Sequence, residues 1–177
     1  PIDRIAGCEL QPEEATALKA NLRADPRAVV HQRDGYAALK ALLPPILGGQ
    51  RFGRGLVLLD PPYEAQLGEF DLALAALRDG LSRWPQAIYA LWYPIKQRRV
   101  LAKFQRSAAA LDAKSAMLVE LLVRPDDSPL RMNGSGLLLL NAPGQFDVAL
   151  RPTIQAFQAA LGEAGASSSI EWLRKPA

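Results

Sequence analysis

A single cysteine and a single histidine stand in a chain of 177 residues. One cysteine permits no internal disulfide, and no zinc site built on cysteine ligands can be assembled. One histidine, His31, has near it nothing of the nucleophile-elbow form that a Ser-His-Asp hydrolase needs. Cys8 and His31 are therefore read as a core thiol and a strand-end imidazole, and no metal is expected. Long apolar runs are also missing. The longest, Leu56-Val57-Leu58-Leu59 and Leu137 to Leu140, have the length of strands and fall far short of a bilayer span. The first residues lack the pattern of a signal peptide, so a cytoplasmic protein is expected. The chain opens with Pro1 rather than Met and enters a strand pattern almost at once, so it reads as a piece of a longer protein.

What is present suits one compact domain spanning residues 1–177. Hydrophobic residues make up 49% and charged residues 22%, which allows a real core and argues against wholesale disorder. The formal net charge of +3 permits a polyanionic partner without demanding one.

Strand patterns alternate with helix patterns along the chain. Arg4 to Glu9 reads as a short strand. Pro12 opens a helix to about Ala24, with Glu13 and Glu14 suited to the positive end of its dipole. Ala28 to His31 is a second strand. Asp34 caps a helix containing Tyr36, Leu39, Leu42 and Leu43, which Pro44-Pro45 stops. Gly48 to Gly55 reads as a loop. The apolar run Gly55 to Asp60 fits a central strand of a parallel sheet, buried on both faces. A helix over Phe70 to Arg83, a strand over Ala87 to Trp92 and a helix over Lys96 to Leu111 follow. Ala116 to Val123 and Gly136 to Asn141 are strands joined by a polar loop. Phe146 to Leu161 is helical, and Ser168 to Leu173 is a last strand. This order implies a doubly wound α/β fold, with no repeat and no internal domain boundary.

In such sheets, ligands bind beyond the carboxyl ends of the strands. Asp60 lies at such an end, followed by Pro61, Pro62 and Tyr63. That sequence suits the methylation of an exocyclic amine. The amine lone pair is delocalised into the ring, so the nitrogen is a poor nucleophile. A carboxylate from Asp60 and a carbonyl from Pro61 can accept its two N–H bonds and aim its lone pair. The prolines fix φ and hold that carbonyl in place. Tyr63 is expected to stack on an extruded base. Catalysis of this kind is orientation and electrostatics. The bland alternative is a strand that ends in a proline-rich turn.

The stretches Arg54 to Glu64 (RGLVLLDPPYE) and Tyr89 to Ile95 (YALWYPI) resemble the RlmJ family, bacterial 23S ribosomal RNA adenine-N6 methyltransferases. ELQP at Glu9 to Pro12, Asp34-Gly35, LVRP at Leu122 to Pro125 and MNGSG at Met132 to Gly136 extend the resemblance over nearly the whole chain. It implies a Rossmann-like class I methyltransferase fold, mostly parallel with a late antiparallel strand, and S-adenosyl-L-methionine as methyl donor. It implies that Glu9 binds the cofactor ribose, that Asp34 accepts from the cofactor adenine amine with Gly35 nearby, and that Asp60 contacts the target amine. The structural alternatives are that Glu9 favours the following helix N-terminus and that Asp34 is an N-cap. Two departures stand out. The family's N-terminal portion, with its first strand and glycine-rich cofactor loop, is absent, so the fragment alone is expected to bind cofactor weakly and to be inactive. Asn141-Ala142-Pro143 stands where a second proline is expected.

RNA contacts are expected from basic and loop residues. Lys96, Arg99, Lys103 and Arg106 are spaced to share one helical face, with Val100, Leu101, Phe104 and Ala108 on the other; an ordinary solvated face is the favoured reading of them, and phosphate contact the competing one. Arg51 and Arg54 precede the catalytic strand, and Arg124 and Arg131 precede a late one. Trp92 is read as core, Tyr93 as either core or base-stacking, and Asn133 and Ser135 as loop residues within reach of a nucleotide. Two further readings compete: a DNA adenine-N6 or cytosine-N4 methyltransferase, which the Asp-Pro-Pro-Tyr motif does not exclude, and a non-catalytic RNA-binding domain of the same fold.

Overall fold

The structure, a computed structural model, describes residues 3–63, 67–96, 98–126, 128 and 132–176. It divides into two compact units, Pro1–Pro45 and Ile46–Ala177. No helix among the described residues is long and apolar enough to cross a membrane.

The first unit is a βαβα segment: β1 (Ile5–Glu9), α1 (Pro12–Leu22), β2 (Ala28–Gln32) and α2 (Gly35–Leu42). The strands are parallel, paired from Ile5↔Ala28 to Glu9↔Gln32, and a parallel pair needs a crossover such as α1. Pro12 starts α1 where a missing N–H costs nothing, and Glu13 and Glu14 occupy its first turn. Asp34 starts α2, its carboxylate accepting from Ala37 N at 2.6 Å. Cys8 and His31 are register partners inside this pair, both half-buried, and burial raises the Cys8 thiol.

The second unit starts with a small hairpin where a loop was expected: β3 (Ile46–Leu47) and β4 (Gln50–Arg51). Gly48 and Gly49 both have positive φ, the backbone that the tightest hairpin turns require. The rest is β5 (Leu56–Leu59), α3 (Leu67–Arg83), β6 (Ile88–Ile95), α4 (Arg98–Ala109), β7 (Ala116–Leu122), β8 (Gly134–Leu140), α5 (Phe146–Leu161) and β9 (Ser167–Arg174). The five strands form one sheet in the order β5-β6-β8-β7-β9. β5 and β6 are parallel, as the α/β reading requires. β8 runs antiparallel to both of its neighbours, and β9 antiparallel to β7, so two late strands reverse direction rather than one.

One expectation is corrected. β5 is the outermost strand of its sheet, not a central one. Leu59 is buried, but Leu56 and Leu58 are 67% and 65% exposed. Among the described residues only β6 pairs with β5, which leaves its other edge unpaired, and the face that carries Leu56 and Leu58 is largely exposed.

Both faces of the sheet carry apolar rows. Cross-strand register places Tyr89 with Leu140 and Ala116, Leu91 with Leu138 and Leu118, and Tyr93 with Gly136 and Glu120. These side chains share the face on which Phe70 of α3 and Phe104 of α4 pack against Tyr93. The opposite face holds Ala90, Met117, Val119 and Leu139, covered by Phe146, Leu150 and Ile154 of α5. Helices on both faces are the α/β arrangement that the alternation of patterns predicts.

Gly136 has a specific reason to lack a side chain. A Cβ there would lie 2.3 Å from the Tyr93 ring. Its absence lets the ring cross β8 so that the Tyr93 hydroxyl donates to Glu120 Oε1 at 2.8 Å. Gly136→Ala should therefore cost about 1–3 kcal/mol through overpacking, read by urea denaturation. Combining it with Tyr93→Leu should recover part of that loss, and strict additivity would refute the contact.

Burial also perturbs the phenols. Tyr89, fully buried with its hydroxyl donating to Trp84 O, is pushed up to about 12. Tyr93 is raised further, by burial first and then by the Glu120 charge. The neutral phenol is the form that the fold favours. Its contribution is complete below the free phenol value near ~10 and is lost as pH climbs toward and past 12. Melting temperature should hold up to about pH 10 and then fall, more steeply than in Tyr89→Phe.

Candidate active site

Asp60 directly follows β5, whose last residue, Leu59, pairs with Leu91 of β6. The carboxylate is exposed at the carboxyl edge of this parallel pair, where a ligand site is expected. Pro61 is buried and Pro62 exposed, so the turn is anchored on one side and open on the other. Tyr63 does the anchoring. Its hydroxyl donates to Trp92 O at 2.7 Å, one residue beyond the last β5–β6 pair. Its ring lies 5.2 Å from Phe70 and 5.9 Å from Trp92, and Phe70 stacks on against Phe104 at 4.7 Å. Burial raises the Tyr63 phenol, and the Glu69 and Asp60 charges add to the effect. With 7% of its surface exposed, the ring face expected to receive a base is covered in this structure.

The loops beyond β6 and β7 lie at the same edge. Asn133 stitches them together. Its backbone N–H donates to Ile95 O and its backbone C=O accepts from Val123 N, both at 2.9 Å. Its side-chain Nδ2 faces three carbonyls, those of Lys96 (3.4 Å), Asp126 (3.3 Å) and Ser128 (3.1 Å). Arg98, the first residue of α4, reaches Glu120 Oε2 at 2.8 Å and Asp126 Oδ2 at 2.9 Å. Sequence reasoning passed over Glu120 and Arg98. The signal was a carboxylate inside the apolar strand AMLVELL, which a fold tolerates only when it is paired.

Two expected RNA contacts are corrected by this packing. Tyr93 is fully buried with its hydroxyl on Glu120, so it is core and not a stacking platform. Asn133 is also fully buried: its Nδ2 is turned to loop carbonyls and its Oδ1 is enclosed without a partner, so it is not an exposed loop residue. Trp92, read as core, is only half-buried. Arg51 and Arg54 are exposed, but they precede β5 while Asp60 follows it. Six residues of extended chain separate Arg54 from Asp60 by roughly 20 Å, which puts these arginines at the opposite edge of the sheet.

Along α4 the basic residues divide. Leu101, Phe104 and Ala108 are buried, as the spacing predicts. Lys103 pairs with Asp71 at 3.3 Å, Arg98 is held by two carboxylates, and Arg99 has a partner of its own. Lys96 is half-buried at the carboxyl end of β6, the same edge as Asp60. Arg124 pairs with Glu163, and Arg131 lies outside the described residues. Asn141 serves the opposite edge: at a φ of 60° it donates to Pro85 O at 3.1 Å and Ala87 O at 2.7 Å and accepts from Lys114 N at 2.8 Å.

In the first unit, Glu9 ends β1 and Asp34 follows β2, so both carboxylates sit at one end of a parallel pair. Each has a local partner: Glu9 Oε1 accepts from Gln11 N at 2.7 Å, and Asp34 caps α2. Gly35 opens α2 with empty space where a Cβ would stand.

The family model described as "Ribosomal RNA large subunit methyltransferase D, RlmJ" matches residues 1–174. The chain belongs to this family. Two relatives named "Ribosomal RNA large subunit methyltransferase J" are similar over 172 residues, 97% of this chain. The protein from Escherichia coli is 30% identical and that from Haemophilus influenzae 31%. The chain spans 59% of the length of each. A crystal structure of a Legionella pneumophila protein superposes with a TM-score of 0.82 at 28% identity, over 96% of this chain and 61% of that one. A probable spermidine synthase from Corynebacterium glutamicum shares the fold alone, with a TM-score of 0.54 at 12% identity over 94% of this chain and 57% of that one. The α/β fold expected from the sequence is thus that of a methyltransferase family.

The anchor of the Asp-Pro-Pro turn can be tested in this family setting. Tyr63→Phe removes the hydroxyl that Trp92 O accepts, at an expected cost of about 1 kcal/mol. Unchanged stability in urea would mean that the aromatic packing alone holds the turn.

Proposed function

We propose that this chain is the catalytic portion of an enzyme that methylates the exocyclic N6 amine of an adenine in 23S ribosomal RNA, using S-adenosyl-L-methionine. One observation carries the reading: Asp60-Pro61-Pro62-Tyr63 leaves the carboxyl edge of a parallel strand pair in a member of a ribosomal RNA methyltransferase family. The reading takes residues 1–177 as one methyltransferase domain, because the family match runs through both units.

The residues of the first unit fit the cofactor. A carboxylate offers about four lone-pair positions, so Glu9 and Asp34 can accept further hydrogen bonds beside those from Gln11 N and Ala37 N. Glu9 would hold the ribose hydroxyls and Asp34 the adenine amine, with the open backbone of Gly35 beside it. S-adenosyl-L-methionine, when bound, supplies an electrophilic methyl group. Asp60 accepts one N–H of the target amine and the Pro61 carbonyl the other, which directs the nitrogen lone pair. The proton that the nitrogen loses on methylation would pass to the Asp60 carboxylate, while the Pro61 carbonyl, a far weaker base, only orients the amine. Tyr63 holds the turn against β6 through Trp92 O, so that these acceptors stay in place. Stacking of the base on Tyr63 would require its covered face to open. Of the basic residues, Lys96 has the position best suited to a phosphate near the reacting base. Arg51 and Arg54 would meet RNA farther away, and Arg99 would do so from the outer face of α4.

Methyl transfer from labelled S-adenosyl-L-methionine to unmodified 23S RNA by the full-length protein tests the reading. Asp60→Ala should lower the rate by at least about 10²-fold. Because Asp60 is exposed, stability should stay within about 0.5 kcal/mol of wild type. Transfer to duplex DNA but not to RNA would keep the chemistry and discard the substrate. Transfer to neither would favour an RNA-binding domain without catalysis.

A further inference from the structure

Glu120 sits in the middle of β7 with 4% of its surface exposed. It accepts from Tyr93 Oη and Arg98 Nη1, each at 2.8 Å, and more weakly from Gln105 Nε2 at 3.4 Å. Burying the Glu120 carboxylate consumes part of what its attraction to the half-exposed Arg98 returns, so such a pair is weak ground for stability. Arg98 also stands at the first position of α4, where the helix dipole disfavours a cation. Stability therefore does not account for either choice.

Position does. Arg98 spans from the strand-borne Glu120 to Asp126 in the β7–β8 loop, and it does so from the residue that begins α4 just after the β6 end. The guanidinium fork suits this, because it presents several donors in a fixed plane to two acceptors at once. Asn133 adds the second tie, joining Lys96 O to Asp126 O and Ser128 O. The two ties join Lys96 and Arg98 to Asp126 and Ser128 at the edge where Asp60 is exposed.

We infer that Arg98, clamped between Glu120 and Asp126, is a positioning residue that keeps Lys96 placed toward the phosphate backbone of the acceptor RNA at the edge that carries Asp60. The inference rests on the function proposed above and adds which residues set the affinity for RNA as distinct from the affinity for cofactor. It also accounts for an arginine in a basic segment that is itself not offered to RNA, being occupied by two carboxylates.

Asp126 gives the cleanest handle. The Arg98–Asp126 pair is 44% exposed on each side, and exposed ion pairs add little to stability. Asp126→Asn removes the charge that holds Arg98 on the loop, while Asp126→Glu retains it. In the full-length protein, Asp126→Asn should raise the KM for 23S RNA about threefold, with kcat at saturating RNA unchanged, because the effect cannot exceed the small free energy of an exposed pair. The KM for S-adenosyl-L-methionine and the melting temperature should not move, and Asp126→Glu should return the RNA KM to near the wild-type value. Lys96→Ala should reduce the salt dependence of RNA binding by about one phosphate contact. A wild-type RNA KM in Asp126→Asn, or an equal rise in both KM values, would overturn the inference while leaving the proposed function intact. Failure of the wild-type protein to methylate RNA would instead remove the proposed function, and this inference with it.

Discussion

A carboxylate in the middle of a sheet survives only if its neighbours are built for it. Glu120 is that carboxylate, and much of the second unit follows from holding it. The Tyr93 ring must cross β8 to reach it, so position 136 has no side chain. Arg98 must open α4 close to the sheet, so the helix is seated by Leu101 and Phe104 against the face that carries Tyr93. Phe104 in turn meets Phe70, and Phe70 meets Tyr63. A continuous aromatic chain thus links the buried carboxylate to the Asp-Pro-Pro turn. The exposed acid of the candidate site and the buried acid of the core are supported by the same packed face.

The order of strands and helices was legible because its signals are local. Pro12 with two glutamates, Asp34 three residues before Ala37 N, and proline stops after Leu43 act within a few residues, and α5 lies over the residues that periodicity indicates. The hairpin at Ile46 to Arg51 was missed because two-residue strands have no period to read, although Gly48-Gly49 was a turn signal in plain view. The place of β5 in the sheet was misread for a different reason. An apolar run reports what it can bury, while its place in the sheet and the packing over its faces are set by the rest of the fold.

The candidate site divides in the same way. Asp60 stands at the strand end that the motif predicts, and membership of an RNA methyltransferase family gives the motif its context. Tyr93 was ambiguous because adjacent aromatics in a strand point to opposite faces, and the sequence does not say which face a helix covers. Asn133 looked like an exposed loop residue because its partners, Lys96 and Asp126, are set by tertiary structure. The basic face of α4 was visible, but its division into paired and presented residues was not, since the acids that neutralise Arg98 and Lys103 come from other elements.

The missing Cβ at Gly136 reaches beyond this one chain. Two residues far apart in sequence share one volume, so neither is free to vary alone. A lineage that placed a side chain at 136 would first have to give up the ring at 93, and with it the hydroxyl that steadies the carboxylate at 120. The three positions should therefore drift as a group, with tyrosine, glycine and glutamate kept together or exchanged together for an apolar set.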